Sequence, residues 1–357
     1  MDGIDVALIR TDGQNSIEHG PNASFPYDAG MRQALAAAMK TATAISQRHE
    51  RPGNLAQIEH DTTRAHINAV DSFLQQNRLS DSDIDVIGFH GQTVLHRPDA
   101  ALTVQLGDGQ LMANELSIPV VHDLRRDDVA AGGQGAPLVP VYHRALAASF
   151  AHRLQPVAFV NIGGISNVTY VGDDEQLLAF DCGPGNALLD DWTLQHTGLP
   201  YDKDGELARS GEVDESVLHD YLISRFFNQS VPKSLDRGDF TLAQMAGLSP
   251  ANGARTLVEL TARSIASAAN WFPDTPQDWI ICGGGRRNRF LMQHIAAHVQ
   301  GIVTPAEAHH LNGDCLEAEA FAYLAVRSLK GLPITFPTTT GVERPLTGGV
   351  LNKPLVK

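Results

Sequence analysis

Three times in this chain a short apolar run ends in a glycine turn. Val157-Ala158-Phe159-Val160 leads to Asn161-Ile162-Gly163-Gly164, and Leu177-Leu178-Ala179-Phe180 leads to Asp181-Cys182-Gly183-Pro184-Gly185-Asn186. Trp279-Ile280-Ile281-Cys282 leads to Gly283-Gly284-Gly285. Each reads as a buried strand, a tight turn and the approach to a helix. Glycine lets backbone amides come close to an anion, and a strand end followed by a helix start aims those amides at it. One such turn also serves simply to close a strand onto a helix. Three of them constrain the chain to an α/β fold and suggest a nucleotide held across a cleft.

The rest of the chain follows the same grammar. Ile4–Ile9, Ile84–Gly91, Leu102–Gly107 and Pro119–Asp123 read as strands, as do the paired runs Ser166–Val171 and Gln176–Phe180. Residues 31–48, 61–77, 111–116, 142–149, 255–270, 288–300 and 317–329 carry helical patterns. At 357 residues the chain is long for one core, so two lobes are expected. A composition break at Ser149–Pro156 divides them into residues 1–150 and 151–357, with the last helix packing back toward the cleft.

Charge and cysteine usage narrow the function. There are 41 acidic against 27 basic side chains, a formal charge of −14, which argues against nucleic acid as a partner. A local phosphate site is compatible with that charge because backbone amides can supply it. Cys182, Cys282 and Cys315 form no CxxC pair and read as reduced thiols, and no metal site is expected. No segment approaches the ~18 apolar residues of a membrane span. Met1-Asp2-Gly3-Ile4-Asp5 is acidic where a signal peptide is basic, so a cytoplasmic protein is expected.

The chain has no GxxxxGK[ST] loop, no HRD or DFG set, no GxSxG elbow and no HExxH pair. Asp181, at a strand end beside a glycine turn, is the first candidate for a general base; capping of that turn is the alternative. Arg125 and Arg126 suit a carboxylate or phosphate, or a solvated loop. His90 and Gln92 suit a polyol, or a strand-end cap. Glu317 opens a helix, where charge complementarity alone explains an acid.

Taken in order, several segments resemble one family. They are His90-Gly91-Gln92-Thr93, Val129-Ala130-Ala131-Gly132-Gly133-Gln134-Gly135-Ala136-Pro137-Leu138, Asn161-Ile162-Gly163-Gly164-Ile165-Ser166-Asn167, Phe180–Asn186 and Cys282–Gly285. The chain resembles anhydro-N-acetylmuramic acid kinase, of the superfamily of sugar kinases, heat-shock ATPases and actin, over nearly its whole length. The resemblance implies two actin-like (ribonuclease H-like) α/β lobes around a nucleotide cleft. It implies ATP, Mg2+ and water as reactants with a small amino sugar, and a homodimer. The reaction opens the 1,6-anhydro bridge and yields the 6-phosphate, in cell-wall recycling.

Carried over by residue, Asp181 matches the catalytic base, and Asn161, Gly163 and Gly164 match the second phosphate segment. Gly283, Gly284 and Gly285 match the adenosine segment, and Glu317 an acid at the sugar site. His90, Gln92 and Arg125 lie in segments expected at the sugar. The family's first phosphate loop reads Gly-Thr-Ser-x-Asp-Gly-x-Asp. Here Met1, Asp2, Gly3, Ile4 and Asp5 stand for its second half. The family often has three arginines where this chain has Arg125, Arg126 and Asp127. Those departures leave two other readings open: a non-catalytic nucleotide-binding relative, and a superfamily kinase or phosphohydrolase with another substrate.

Overall fold

The structure is a computed structural model that describes residues 3–150, 156–173, 176–235 and 238–355. The chain opens with the strands β1 (Gly3–Thr11) and β2 (Ile17–Pro26) and the helices α1 (Ala29–Ala42) and α2 (Leu55–Asn77). Next come β3 (Ile87–Phe89), β4 (Gln92–Arg97), β5 (Leu102–Leu106), α3 (Gly109–Leu116), β6 (Val120–His122), α4 (Arg126–Ala130) and α5 (Pro140–Ser149). The middle holds β7 (Val157–Ile162), β8 (Ile165–Val171), β9 (Leu177–Pro184), α6 (Ala187–Thr197), α7 (Glu206–Arg209), α8 (Glu215–Leu222) and α9 (Pro250–Ser267). It continues through β10 (Asp278–Cys282), α10 (Arg289–His298) and β11 (Ile302–Pro305). The chain closes with α11 (Leu316–Leu329), α12 (Pro337–Thr340) and β12 (Val350–Asn352).

These elements form two compact units, one of residues 1–149 and 315–357, the other of residues 150–314. The first boundary falls at the composition break. The second lies 43 residues before the C-terminus, so α11 groups with the N-terminal elements rather than with 151–314. The reason is packing: α11 lies against β1, β3 and β6 and buries Ala320, Phe321, Leu324 and Ala325.

In the second unit the sheet order is β11-β10-β7-β8-β9. The strands β7, β8 and β9 form an antiparallel meander, and β10 and β11 run parallel to β7. Three consecutive antiparallel strands followed by two parallel ones on the other side is the ribonuclease H-like arrangement of an actin-like lobe. β10 is buried along its whole length, which accounts for its lack of alternation. The long helix α9 packs on β9, α6, α8 and α10. The pattern over 255–270 places its start five residues late: Ser249 caps the Asn252 amide at 3.2 Å and Pro250 occupies the first turn, where no donor is lost.

In the first unit β1 and β2 pair antiparallel, β4 and β5 form a second antiparallel pair, and β12-β6-β3 form a three-stranded sheet. The helix expected over 31–48 stops at Ala42. The Glu50 carboxylate accepts from the Ser46 and Gln47 amides at 2.7 and 3.1 Å, a local capture that competes with helical bonding.

The closest approach inside this unit is at Gly88 on β3, where a Cβ would overlap the Phe321 carbonyl of α11. Gly88→Ala is therefore expected to cost about 1–3 kcal/mol in chemical denaturation, as overpacking does. Gly238→Ala, where a Cβ meets nothing within 4 Å, is expected to stay within about 0.5 kcal/mol of the parent. Equal losses in the two variants would contradict the packing described for α11.

Candidate active site

The three glycine turns meet in the second unit. Asn186 donates its backbone N–H to the Gly163 carbonyl at 2.7 Å and its side-chain Nδ2 to the Ile162 carbonyl at 3.1 Å. The Gly185 and Ala187 amides both donate to the Gly164 carbonyl, at 3.0 and 3.2 Å. Gly283 has φ +72°, and a Cβ there would overlap the Asn161 side-chain oxygen and lie 2.7 Å from the Ile162 carbonyl oxygen. A Cβ on Gly185 would collide with the Gly163 carbonyl. These turns are packed backbone against backbone, which only glycine permits.

Behind them, the Thr261 hydroxyl of α9 donates to the Gly185 carbonyl at 3.2 Å. The Arg286 guanidinium donates to the Gly283 carbonyl at 2.8 Å and is held by Glu307 and Asp314 at 2.7 and 2.8 Å. Those two carboxylates raise the Arg286 pKa against the cost of its burial. In front, Gly164 and Gly284 are exposed, and a Cβ on either meets nothing nearer than 3.5 Å. A fixed, fully bonded back and an open glycine front fit a polyphosphate.

Asp181 sits inside a strand. β9 runs on to Pro184, and Asp181 stands opposite Asn167 of β8. Its Oδ2 accepts the Leu235 amide at 2.8 Å, and its own amide donates to the Lys233 carbonyl at 3.0 Å. The amide fixing this carboxylate comes from 54 residues further along the chain, outside the adjacent Gly-Pro-Gly segment. Cys182, next to it, is buried, and burial pushes its thiol pKa up.

The sugar-site candidates His90, Gln92, Arg125 and Glu317, together with the described part of the first phosphate segment, fall in the first unit. Gly3, Ile4, Asp5, His90, Gln92 and Glu317 line one cavity of ≈ 270 Å³. Met1 and Asp2 lie outside the described residues. Within the cavity Ile4 is buried, whereas Gly3, Asp5 and Glu317 are exposed. His90 Nε2 lies 3.0 Å from Arg125 Nη2, and Arg125 Nη1 donates to the Gly135 carbonyl at 2.8 Å. A guanidinium can only donate, so His90 accepts through Nε2 and carries its proton on Nδ1. Burial, then Arg125, lowers the His90 pKa to about 3. Arg125 Nε is buried with no hydrogen-bond partner.

A second cavity of ≈ 400 Å³ shares His90 and is lined by Arg48, Arg51 and Arg126. Sequence reading passed over Arg48 and Arg51 because they lie in a polar loop between α1 and α2 with no motif around them. Each arginine already has an acid: Asp123 for Arg48, Glu59 for Arg51 at 2.8 Å, and Asp127 for Arg126 at 2.8 Å. Asp127, where the family often has a third arginine, thus pairs with its neighbour.

A ribonuclease H-like sheet whose strand-end glycine turns converge, in a chain with a cation-lined cavity, defines a phosphotransferase of the sugar-kinase class. The family model for anhydro-N-acetylmuramic acid kinase matches residues 1–353. A curated relative of that name from Agrobacterium fabrum is 52% identical over 355 residues, 98% of this chain and 95% of the relative. One from Rhizobium etli is 52% identical over 355 residues, 99% of this chain and 96% of the relative. Among solved structures, the activator of 2-hydroxyisocaproyl-CoA dehydratase from Clostridium difficile aligns over 92% of this chain and 96% of its own, at 11% identity and TM-score 0.44, a likeness too loose to carry weight. The chain belongs to the anhydro-N-acetylmuramic acid kinase family.

The depressed His90 pKa has a measurable consequence. The unfolded chain takes up the His90 proton near pH 6.5, whereas the folded protein refuses it down to about pH 3. Protons then favour the unfolded state, so stability falls as pH drops through that window. His143, also held at about 3 by burial, acts in the same direction. His90→Gln removes one of these contributions, so its Tm is expected to fall less steeply than the parent's on acidification. Parallel Tm–pH curves would contradict the burial of a neutral His90.

Proposed function

We propose that this protein phosphorylates 1,6-anhydro-N-acetylmuramic acid at O6 with ATP, opening the anhydro bridge with water to give the 6-phosphate. The observation that carries the reading is the convergence of three glycine turns in one unit, one of them in the strand that holds Asp181. The family match over residues 1–353 supplies the substrate. The comparisons do not support the alternative of a non-catalytic relative.

In this reading Asn161, Gly163 and the exposed Gly164 hold the nucleotide phosphates, and the Gly283–Gly285 turn, exposed at Gly284, takes the adenosine. Arg286 keeps the third turn in shape from behind. When bound with the nucleotide, Mg2+ would supply charge neutralisation at the transferring group. Asp181 takes the proton of the water that attacks the anomeric carbon. The C1–O6 bond breaks as the water oxygen bonds to C1; the freed O6 takes the γ-phosphoryl group, and ADP leaves. The Leu235 amide fixes one Asp181 oxygen. That orients the carboxylate, so part of the entropic cost of reaction is met before substrate binds.

The sugar is assigned to the cavities of the first unit, through His90, Gln92, Arg125 and Glu317, with Gly3–Asp5 on the wall of the same cavity as part of the first phosphate segment. A neutral His90 stands at this site, and the arginines around it suit the sugar's lactyl carboxylate. A cytoplasmic location is supported by three buried cysteines that enter no disulfide. No helix among the described residues is long and apolar enough to cross a membrane. A homodimer and a role in cell-wall recycling rest on the family resemblance alone.

Asp181→Asn keeps the shape and can still accept the Leu235 amide, but it is a far weaker base. Its kcat for ADP release with the anhydro sugar is expected to fall by about 10²–10⁴. Circular dichroism and nucleotide affinity are expected to match the parent. A kcat within a few-fold of the parent would remove Asp181 from the base role.

A further inference from the structure

Away from the turns, the second unit holds a cluster that the reaction does not use. Glu259 on α9 faces His294 and His298 on α10. Glu259 Oε2 lies 2.7 Å from His294 Nδ1, and Oε1 lies 2.7 Å from His298 Nε2. The three donor atoms all fall within 4.8 Å of one another. The sequence signal is His-x-x-x-His, which sets two imidazoles one turn apart on the same helix face. The search for HExxH passes over it, because here the carboxylate comes from a different helix.

We propose that Glu259, His294 and His298 form a binding site for a borderline divalent cation such as Zn2+, which cross-links α9 to α10. Two imidazoles and a carboxylate are the donor set such ions prefer, and Mg2+ is not served by it. The Glu259 side chain is 6% exposed, while His294 and His298 are 17% and 32% exposed. The carboxylate is therefore buried behind two imidazoles whose outer edges reach water. An ion can enter from that side and keep a water as its fourth ligand.

The surrounding charge is compatible with a cation. Arg263 donates Nε–H to Glu259 Oε1 at 2.8 Å, but Glu215 holds the other end of that guanidinium at 3.0 and 3.3 Å. The cluster thus carries two carboxylates against one guanidinium, and an ion entering it displaces the proton that Oε2 now shares with His294 Nδ1 at 2.7 Å. His294 is also steadied by the Phe290 ring, 4.7 Å away between centroids.

The role is structural. α9 carries Thr261, bonded to Gly185, and Ser264, against which Gly183 packs. α10 begins just after the Gly283–Gly285 turn, with Asn288 capping the Phe290 and Leu291 amides. Joining the two helices stiffens the backing of two glycine turns and stabilises the fold by mass action.

The test is a calorimetric titration of the chelator-treated full chain with ZnCl2, CoCl2 and MgCl2. One equivalent of Zn2+ and of Co2+ is expected to bind, Co2+ with the visible bands of a tetrahedral site, and Mg2+ is expected not to bind. His294→Ala and His298→Ala are expected to lose at least about 100-fold in Zn2+ affinity, no less than the loss of an indirect partner costs. Their Tm without metal is expected to stay near the parent's, and the rise in Tm with Zn2+ to vanish. Failure of the parent to bind Zn2+ stoichiometrically would overturn the proposal, as would equal binding by parent and variants.

Discussion

The second unit depends on bare backbone touching bare backbone. Gly283 and Gly285 lean on Asn161 and Ile162, and Gly185 leans on Gly163, at separations no Cβ tolerates. Asn186 ties the first two turns together with two hydrogen bonds, and Arg286 draws the third into place through the Gly283 carbonyl. The glycines cost conformational entropy on folding, but they let three strand ends present amides within one small volume. The sheet order β11-β10-β7-β8-β9 makes this possible, because β7 sits centrally between the strands that carry the other two turns.

Much of this was legible in the chain. Strands that end in glycine, and the helix opened by Asn288, follow local rules that act within a few residues; the Ser249-Pro250 start of α9 obeys the same rules but was passed over for the apolar pattern that begins at Arg255. What was not legible came from distant partners. The Leu235 amide that holds Asp181 lies 54 residues away, so spacing around Asp181 could not separate a base from a turn cap. The grouping of α11 with the first unit rests on its packing against β1 and β3, more than 300 and more than 220 residues earlier in the chain. The end of α1 depended on Glu50 capturing two amides, a choice that helix periodicity does not encode.

Electrostatics divides in the same way. The formal charge of −14 describes the surface as a whole, yet the larger cavity of the first unit gathers Arg48, Arg51 and Arg126. Each arginine is balanced by a nearby acid, so the cavity is polar and preorganised without being strongly cationic. In the proposed reading an anionic sugar bound there would trade existing ion pairs for new ones, which favours discrimination over raw affinity. His90, kept neutral by burial, adds a hydrogen-bond donor whose charge does not change near neutral pH.

The central chemical claim is that water, prepared by Asp181, attacks the anomeric carbon while the bridge oxygen takes the phosphoryl group. The direct measurement is turnover in water enriched in the heavy oxygen isotope, followed by mass spectrometry of the sugar phosphate. The expected result is one heavy oxygen per product molecule, located at the anomeric hydroxyl and absent from the phosphate. Heavy oxygen in the phosphate, or a product without it at the anomeric position, would contradict this course of reaction.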